Sequence, residues 1–311
     1  MKKKKFIYNY SFVWIKKKFY KLKIFFLEIL FMMFFFLKSN QIKIALCTMG
    51  KKENLYVNEF INYYKKLGVN KIFIYDDNEP NSERIKDVIT LDKSVIVYEN
   101  IKDRIKNQGD AFTECYNNNK DNYDWFLMFD LDEYLIIVNN TLKKYLTDPI
   151  FNRCDFIKIH WLIPSDNNLV HYDNRTLLER FKGPYINSFH IKSIIRGHIN
   201  NLKYWVHSPF YSPQRNITCN NAGEEIKYKK NMNFQSVKPF NKKKSYIIHF
   251  LFKSTEEYIN KYKRGYSNWF YNDLNNWVLN YLKNNKITKE KIEYFEKEFK
   301  INLSKFKKNL K

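Results

Sequence analysis

The stretch that decides the fold is WFLMFDLDEYL, residues 125–135. Its first five residues are apolar, which is typical of a strand buried inside a sheet. Three carboxylates, Asp130, Asp132 and Glu133, follow within four positions, where this strand should end. Because an unpaired buried carboxylate costs several kcal/mol, we expect a cation or a set of hydrogen-bond donors beside them.

The spacing of Asp130 and Asp132 indicates a metal site. The two residues are two positions apart, so their side chains lie on the same face of an extended segment. Hard divalent ions such as Mg²⁺ and Mn²⁺ prefer oxygen-rich sites of this kind, which substrate phosphates and water complete. A solvated acidic turn is the simpler alternative. The apolar residues 135–138 after the motif favour the metal site.

The segments before this stretch alternate between strand and helix patterns. The pattern predicts strands at residues 42–48, 71–75, 94–98 and 125–129, and helices at residues 56–67, 82–89 and 108–118. Such alternation predicts parallel βαβ units, and therefore an α/β fold with a Rossmann-type, mostly parallel central sheet flanked by helices. Ligands of such sheets bind beyond the carboxyl ends of the strands. We therefore expect residues 48–53, 76–78 and 130–133 to lie together.

The second half of the chain lacks this alternation. Strands are predicted at residues 156–163, 192–195 and 246–250. Ser254, with Glu257 three residues later, has the pattern of a capping box that begins a C-terminal helical segment. The predicted parts are a basic and apolar N-terminal segment at 1–40, a globular domain at 41–285 and a basic helical tail at 286–311.

The formal net charge of +23 is concentrated at the two ends of the chain. Residues 1–23 contain nine lysines and no acidic residue, and residues 283–311 have a net charge of +6. Basic ends suit an anionic membrane surface at least as well as nucleic acid. The middle of the chain has no nucleic-acid recognition motif, so no nucleic-acid partner is expected.

Residues 24–37 are almost wholly apolar and predict membrane association. As a helix these residues span about 21 Å, which is shorter than the roughly 30 Å hydrocarbon core. Adding residues 19–23 gives a thin single span, although Glu28 counts against it. An in-plane anchor is the alternative. The side of the membrane on which the domain lies is left open.

The four cysteines, Cys47, Cys115, Cys154 and Cys219, lie far apart in the sequence. The absence of a CxxC pair argues against a zinc ribbon or a thioredoxin-type motif. Buried free thiols are the expected state. Disulfides are the alternative if the domain lies outside the cytosol.

Four groups of residues resemble, in order along the chain, the GT-A-type glycosyltransferases of the family 2 and family 92 group. The resemblance covers residues from about 42 to 266, with Lys52 where the group usually has Asn and Phe250 where it usually has Tyr. The four groups are residues 51–60 with 67–76, the stretch 125–135, residues 179–181 and 192–196 with His207, and residues 248–254 with 263–265.

The resemblance implies that a sugar is transferred from a UDP- or GDP-sugar to a glycan or glycolipid acceptor, with Mn²⁺ or Mg²⁺ and with inversion. A leaving diphosphate gains negative charge, which a bound divalent ion neutralises. Asp132 is the predicted direct metal ligand. Asp130 is expected to bind the metal through water or to hold the donor ribose. His249 is the predicted third ligand, with His207 as runner-up and a hydrogen-bonded core histidine as the simpler interpretation of His249.

Other residues are assigned to the donor and the acceptor. Inversion needs a general base on the acceptor hydroxyl, and Asp166 and Glu179 are the candidates. Arginine suits phosphate by its fork geometry. The predicted donor-binding residues are Thr48, Glu53, Asp76, Asp77, Asp130, Arg180, Lys192 and Lys253.

Two other functions remain open from the sequence. A haloacid-dehalogenase-type phosphatase also uses a DxD pair, with the first Asp as nucleophile. That motif normally lies on the first strand, whereas here it follows the fourth predicted strand. A non-enzymatic, basic membrane- or nucleic-acid-binding protein is the second alternative, because lysine is concentrated at the ends.

Overall fold

A computed structural model describes Leu27 and residues 42–90, 92–211, 216–226, 241–265 and 273–307. The chain divides into two units, Met1–Ile42 and Lys43–Lys311, and the elements below belong to the second. Apart from Leu27, the predicted membrane segment lies outside the described residues. Within the described residues, no helix has the length and apolar character needed to cross a bilayer. Membrane association and the three-part division of the chain stay predictions.

Strands and helices alternate in the first half, as the sequence pattern predicts. The 82–89 segment is an exception, because it forms a loop with a single 3₁₀ turn at Ile85–Asp87. Asp76 causes this by accepting the backbone N–H of Ile85 (2.8 Å), which draws the loop back to the strand end. The elements are β1 (Ile44–Gly50), α1 (Asn54–Leu67), β2 (Lys71–Asp76), β3 (Val95–Tyr98), α2 (Gln108–Asn119) and β4 (Trp125–Met128).

Helix α1 packs on the sheet and ends where its sequence predicts. Gly68 follows it in the left-handed region, with φ 106°, and its N–H bonds back to Tyr64 and Lys65. A glycine suits this conformation because it has no Cβ. The Tyr64 hydroxyl donates to the carbonyl of Glu133 (2.7 Å) and accepts from the N–H of Leu135 (3.0 Å). The helix is thereby attached to the strand that follows the acidic motif.

The second half contains most of the antiparallel strands and the C-terminal helices. The strand predicted at 192–195 is the end of a longer strand, β7, whose first residues are exposed. The elements are β5 (Glu133–Ile137), α3 (Leu142–Leu146), β6 (Phe156–Pro164), α4 (Leu177–Arg180), β7 (Tyr185–Arg196), β8 (Lys203–Tyr204), β9 (Pro209–Tyr211), β10 (Thr218–Asn220), β11 (Ser245–His249), α5 (Thr255–Lys263), α6 (Leu274–Asn284), α7 (Lys289–Phe299) and α8 (Ser304–Lys307).

The central sheet is mixed: most of its strand pairs in the described residues are parallel, as predicted, but three are antiparallel. Nine strands of the described residues form it, in the order β3-β2-β1-β4-β7-β6-β11-β5, with β10 paired to β6. The pairs among β1 to β4 are parallel, whereas β7 runs antiparallel to both β4 and β6, and β5 runs antiparallel to β11. A buried apolar run has the same pattern in either direction, so strand direction is not visible in the sequence.

The C-terminal helices pack around a cluster of aromatic side chains. Tyr258 of α5 stacks on Trp277 of α6, with ring centroids 4.2 Å apart. Ile292 and Phe295 of α7 are fully buried in the same cluster. The segment predicted as a basic helical tail thus contains helix α7, whose apolar face lies against α5 and α6.

Two disulfides, Cys47–Cys115 and Cys154–Cys219, replace the expected free thiols. The first joins β1 to α2, and the second joins the loop before β6 to β10. The paired Cα atoms are 6.2 Å and 5.8 Å apart, within the range that a disulfide spans. The partners are 68 and 65 residues apart in sequence, so only tertiary packing brings them together.

Candidate active site

Asp132 lies in the turn between β4 and β5, where strand β11 and helix α5 supply its neighbours. Its Oδ2 accepts a hydrogen bond from the Lys261 ammonium (2.7 Å), and its Oδ1 is 3.5 Å from His249 Nε2. His249 reaches this position because β11 pairs with β5, which places His249 opposite Glu133. The predicted pair of Asp132 and His249 is therefore brought together.

Burial and charge set the protonation of this pair. Burial alone would raise the pKa of Asp132, but Lys261 and His249 outweigh it and hold the pKa well below its usual range. Burial lowers the pKa of His249, although Asp132 opposes the shift. The cations beside Asp132 thus favour its ionised form. The ring of Trp161 lies 4.1 Å from that of His249, and His249 Nδ1 has no hydrogen-bond partner among the described residues.

Asp130 faces a different cation. Its Oδ1 accepts hydrogen bonds from the Lys192 ammonium (2.7 Å) and from the Gln108 amide. Lys192 is fully buried and lies 3.7 Å from Glu133 Oε1. Burial, reinforced by Asp130, raises the pKa of Glu133 well above its usual range. Glu133 also accepts the backbone N–H of Asp130 (3.1 Å), so it stabilises the turn.

The three predicted metal ligands do not form one ligand set. Asp132 and His249 meet, but Lys261 holds the second oxygen of Asp132, and Asp130 is bonded to Lys192. Within the described parts of the chain, no group of three His, Cys, Asp or Glu side chains is arranged to hold a metal ion. The Mn²⁺ or Mg²⁺ ion stays a prediction.

Two predicted donor-binding residues, Glu53 and Lys253, meet beside the first residues of α1. Glu53 Oε1 accepts a hydrogen bond from Arg264, and its Oε2 lies 3.6 Å from Lys253 Nζ. Lys253 Nζ also lies 3.6 Å from the centre of the Tyr56 ring, a cation–π contact. Burial lowers the pKa of Lys253, and Glu53 opposes the shift.

The other predicted strand-end residues lie in or directly after the last residues of the neighbouring strands β1 and β2. Thr48 is fully buried, and its Oγ1 has no hydrogen-bond partner within the described residues. Asp76 accepts the backbone N–H groups of Asn78 (3.0 Å) and Ile85 (2.8 Å), so it organises the loop that follows β2. Asp77 is half-buried, and burial raises its pKa. Their contacts with a donor stay predictions.

Arg180 is held by Glu257 in a buried ion pair. Its Nη1 donates to Oε2 (2.7 Å) and its Nη2 to Oε1 (3.0 Å) of Glu257. The Tyr56 hydroxyl donates to the same carboxylate (2.7 Å), and Glu257 also closes the capping box with Ser254. The guanidinium predicted to bind phosphate is therefore held by Glu257 through both Nη atoms, whereas its Nε has no hydrogen-bond partner among the described residues.

Replacing Glu257 with alanine is expected to lower the free energy of unfolding by about 3–5 kcal/mol, because Arg180 would stay buried without a partner. Urea unfolding measures the change. Glu256→Ala, one position earlier on the more exposed side of α5, is the control and should change stability by about 1 kcal/mol or less. Equal losses in the two variants would contradict the assignment of the buried ion pair.

The two general-base candidates have structural partners. Asp166 is buried and accepts hydrogen bonds from the Tyr281 hydroxyl and the Lys291 ammonium, which attaches the loop after β6 to α6 and α7. Glu179 is exposed and closes a capping box with Thr176. A catalytic role for either residue stays a prediction.

Lys261 is the site residue that the sequence reasoning missed. Glu257, Lys261 and Arg264 have the spacing i, i+4, i+7, which places them on one helix face. From that face they contact Arg180, Asp132 and Glu53, respectively. Lys263, which belongs to the last group of the resemblance, lies on the surface instead and pairs with Glu298 (2.6 Å). Charged residues at the core-facing spacing of α5 were the available signal.

Two cavities lie at the surface of the described residues. One, of about 330 Å³, is lined by Lys52, Asn54, Leu55, Ser82 and Glu83, on either side of the loop that contains Glu53. A larger one, of about 550 Å³, lies near the Cys154–Cys219 disulfide and contains none of the predicted site residues. The smaller cavity lies next to Glu53 in sequence, but it too is lined by none of the predicted site residues.

Comparison with known proteins points to one enzyme class. No protein-family model matches the chain. A glycosyltransferase family 92 protein of Oryza sativa subsp. japonica is 29% identical over 112 residues, which cover 34% of this chain and 19% of the relative. A glycosyltransferase family 92 protein of Arabidopsis thaliana is 28% identical over 92 residues, which cover 30% and 16%.

The chain thus spans less than a fifth of the length of the curated relatives it matches. Their names agree with the family 92 resemblance found in the sequence, over about a third of the chain.

Proposed function

We propose that this chain is a glycosyltransferase that moves a sugar from a UDP- or GDP-sugar to a glycan or glycolipid acceptor. The observation on which this depends is the meeting of Asp132 and His249, whose side-chain atoms are 3.5 Å apart. The two residues belong to separate motifs of the resemblance and are far apart in sequence. Their convergence at the end of a buried strand supports one reaction centre.

The charges around this centre support a diphosphate-containing donor. Four cations of the candidate site each contact one of its carboxylates: Lys192, Lys253, Lys261 and Arg264. A nucleoside diphosphate needs such positive charge, most of all as the sugar–phosphate bond breaks. The parallel strands β1 to β4 place the acidic turn at their carboxyl ends, which supports a GT-A-like arrangement.

A thermal-shift screen of nucleoside diphosphates tests the proposal. UDP or GDP at about one hundred times its dissociation constant should raise the melting temperature by roughly 5 °C. The matching nucleotide-sugar should then be hydrolysed or transferred, which released nucleotide reports. If no nucleoside diphosphate shifts the melting temperature and no nucleotide-sugar is turned over, the proposed function is wrong.

Neither alternative function is favoured by a contact among the described residues. A phosphatase would use Asp130 as its nucleophile, and this residue is bonded to Lys192 and Gln108. The glycosyltransferase names of both relatives also favour sugar transfer. A membrane surface remains a proposed partner of the basic N-terminal segment.

A further inference from the structure

The contact between Lys261 and Asp132 is unexpected for a metal-binding motif. The Lys261 side chain is only 8% exposed and the Asp132 side chain 6% exposed. The ammonium group therefore donates to the carboxylate (2.7 Å) with little access to water. A buried lysine and carboxylate in this geometry form a charge-assisted hydrogen bond, which is among the stronger kinds in proteins.

A divalent ion on Asp132 would meet this ammonium group. Mg²⁺ lies about 2.0–2.1 Å from its oxygen ligands, so the ion and the ammonium would share one carboxylate. Two cations at that separation repel each other, and the repulsion is strong where water is largely excluded. Lys261 therefore occupies the place that the motif would give to a metal ion.

The other charged side chains of the candidate site also form ion pairs. Asp130 is paired with Lys192, and Glu53 is paired with both Arg264 and Lys253. Lys261 is paired with Asp132. The site therefore holds four cations, each within reach of a carboxylate, and cations of this kind also bind the oxygens of a diphosphate.

We propose that the Lys261 ammonium, oriented by Asp132, binds the diphosphate of the donor, so that the chain binds a nucleoside diphosphate without any divalent ion. This inference rests on the proposed function, because it assumes a UDP- or GDP-linked donor. In it, Lys261 is a binding residue and Asp132 is the residue that positions it. The same arrangement makes Lys261 a competitor of a metal ion for Asp132.

The test measures binding of UDP and of GDP to the full chain by calorimetry, once in EDTA and once with Mn²⁺. The wild-type chain should bind one of the two nucleotides in EDTA. Lys261→Met should weaken that binding on the order of tenfold or more, since a charged hydrogen bond is lost. Mn²⁺ should restore part of the affinity in Lys261→Met, because the like charge beside Asp132 is gone.

Lys263→Met is the matched control. Lys263 lies on the same helix and pairs with Glu298 at the surface, so its loss removes the same charge away from the site. Its nucleotide affinity in EDTA should equal that of the wild type. If Lys261→Met does not fold, Lys261→Gln serves instead, because its amide keeps an N–H donor for Asp132.

Several results would overturn the inference. Binding of the wild type only with Mn²⁺ would overturn the role of Lys261 and leave the proposed function standing. Equal affinity of Lys261→Met and wild type in EDTA would do the same. Absence of binding to either nucleotide in both buffers would overturn the inference together with the proposed function. The two failures are therefore distinguishable.

Discussion

Asp132→Asn is expected to lower the turnover of the nucleotide-sugar donor by about a hundredfold or more, the size of effect seen when a charge that acts on the transition state is lost. The asparagine keeps the shape of the side chain but loses the negative charge that orients Lys261 and faces His249. The rate of nucleotide release from UDP- and GDP-sugars, measured as kcat/KM, reports the loss.

Asp92→Asn is the matched control for this variant. Asp92 forms an ion pair with Lys65 (2.5 Å), but both side chains are more than a third exposed and lie outside the proposed site. Its donor turnover should equal that of the wild type. Circular dichroism and urea unfolding verify that Asp132→Asn is folded. A folded Asp132→Asn chain with normal turnover would show that the site is misassigned.

The double variant Cys47→Ala/Cys115→Ala is expected to lose about 4 kcal/mol of the free energy of unfolding, the loop-closure contribution for partners this far apart. Their disulfide joins residues that are 68 positions apart in sequence. It links β1, which pairs with β4, to α2. Guanidinium unfolding without reductant measures the change. Cys154→Ala/Cys219→Ala should show a similar loss, because its separation is 65 residues.

Thiol titration gives a direct check of both disulfides. The wild-type chain, denatured without reductant, should contain no reactive thiol, whereas prior reduction should release all four. Reduced wild type should also unfold at a lower denaturant concentration than the oxidised chain. Four titratable thiols in the chain before reduction, after purification under air, would contradict the two pairs.

Most elements in the first half of the fold can be predicted from the sequence. The apolar runs at 42–48, 71–75 and 125–129 all form strands, because each is short, buried and followed by polar turn residues. The capping pattern of Ser254 and Glu257 is also present as predicted. These features depend on residues close together in the chain, and local patterns record them well.

Only part of the candidate site can be predicted from the sequence. Asp132 and His249 were placed together because each lies in a recognisable motif, and they do meet. Lys261 was missed, because its contact with Asp132 depends on which face of α5 packs against the turn between β4 and β5. Arg180 was assigned to phosphate, but Glu257 holds it. A single charged residue does not reveal its partner until the chain is folded.

By itself, the sequence determined that a buried strand ends in carboxylates, that helices and strands alternate before it, and that the motifs resemble glycosyltransferases. Only the tertiary structure decided the antiparallel placement of β7, the pairing of the four cysteines and the contact of Lys261 with Asp132. The physical reason is how far apart in sequence the interacting residues lie. Apolar patterns act over a few residues, whereas strand direction, disulfides and buried ion pairs depend on partners far apart in the chain.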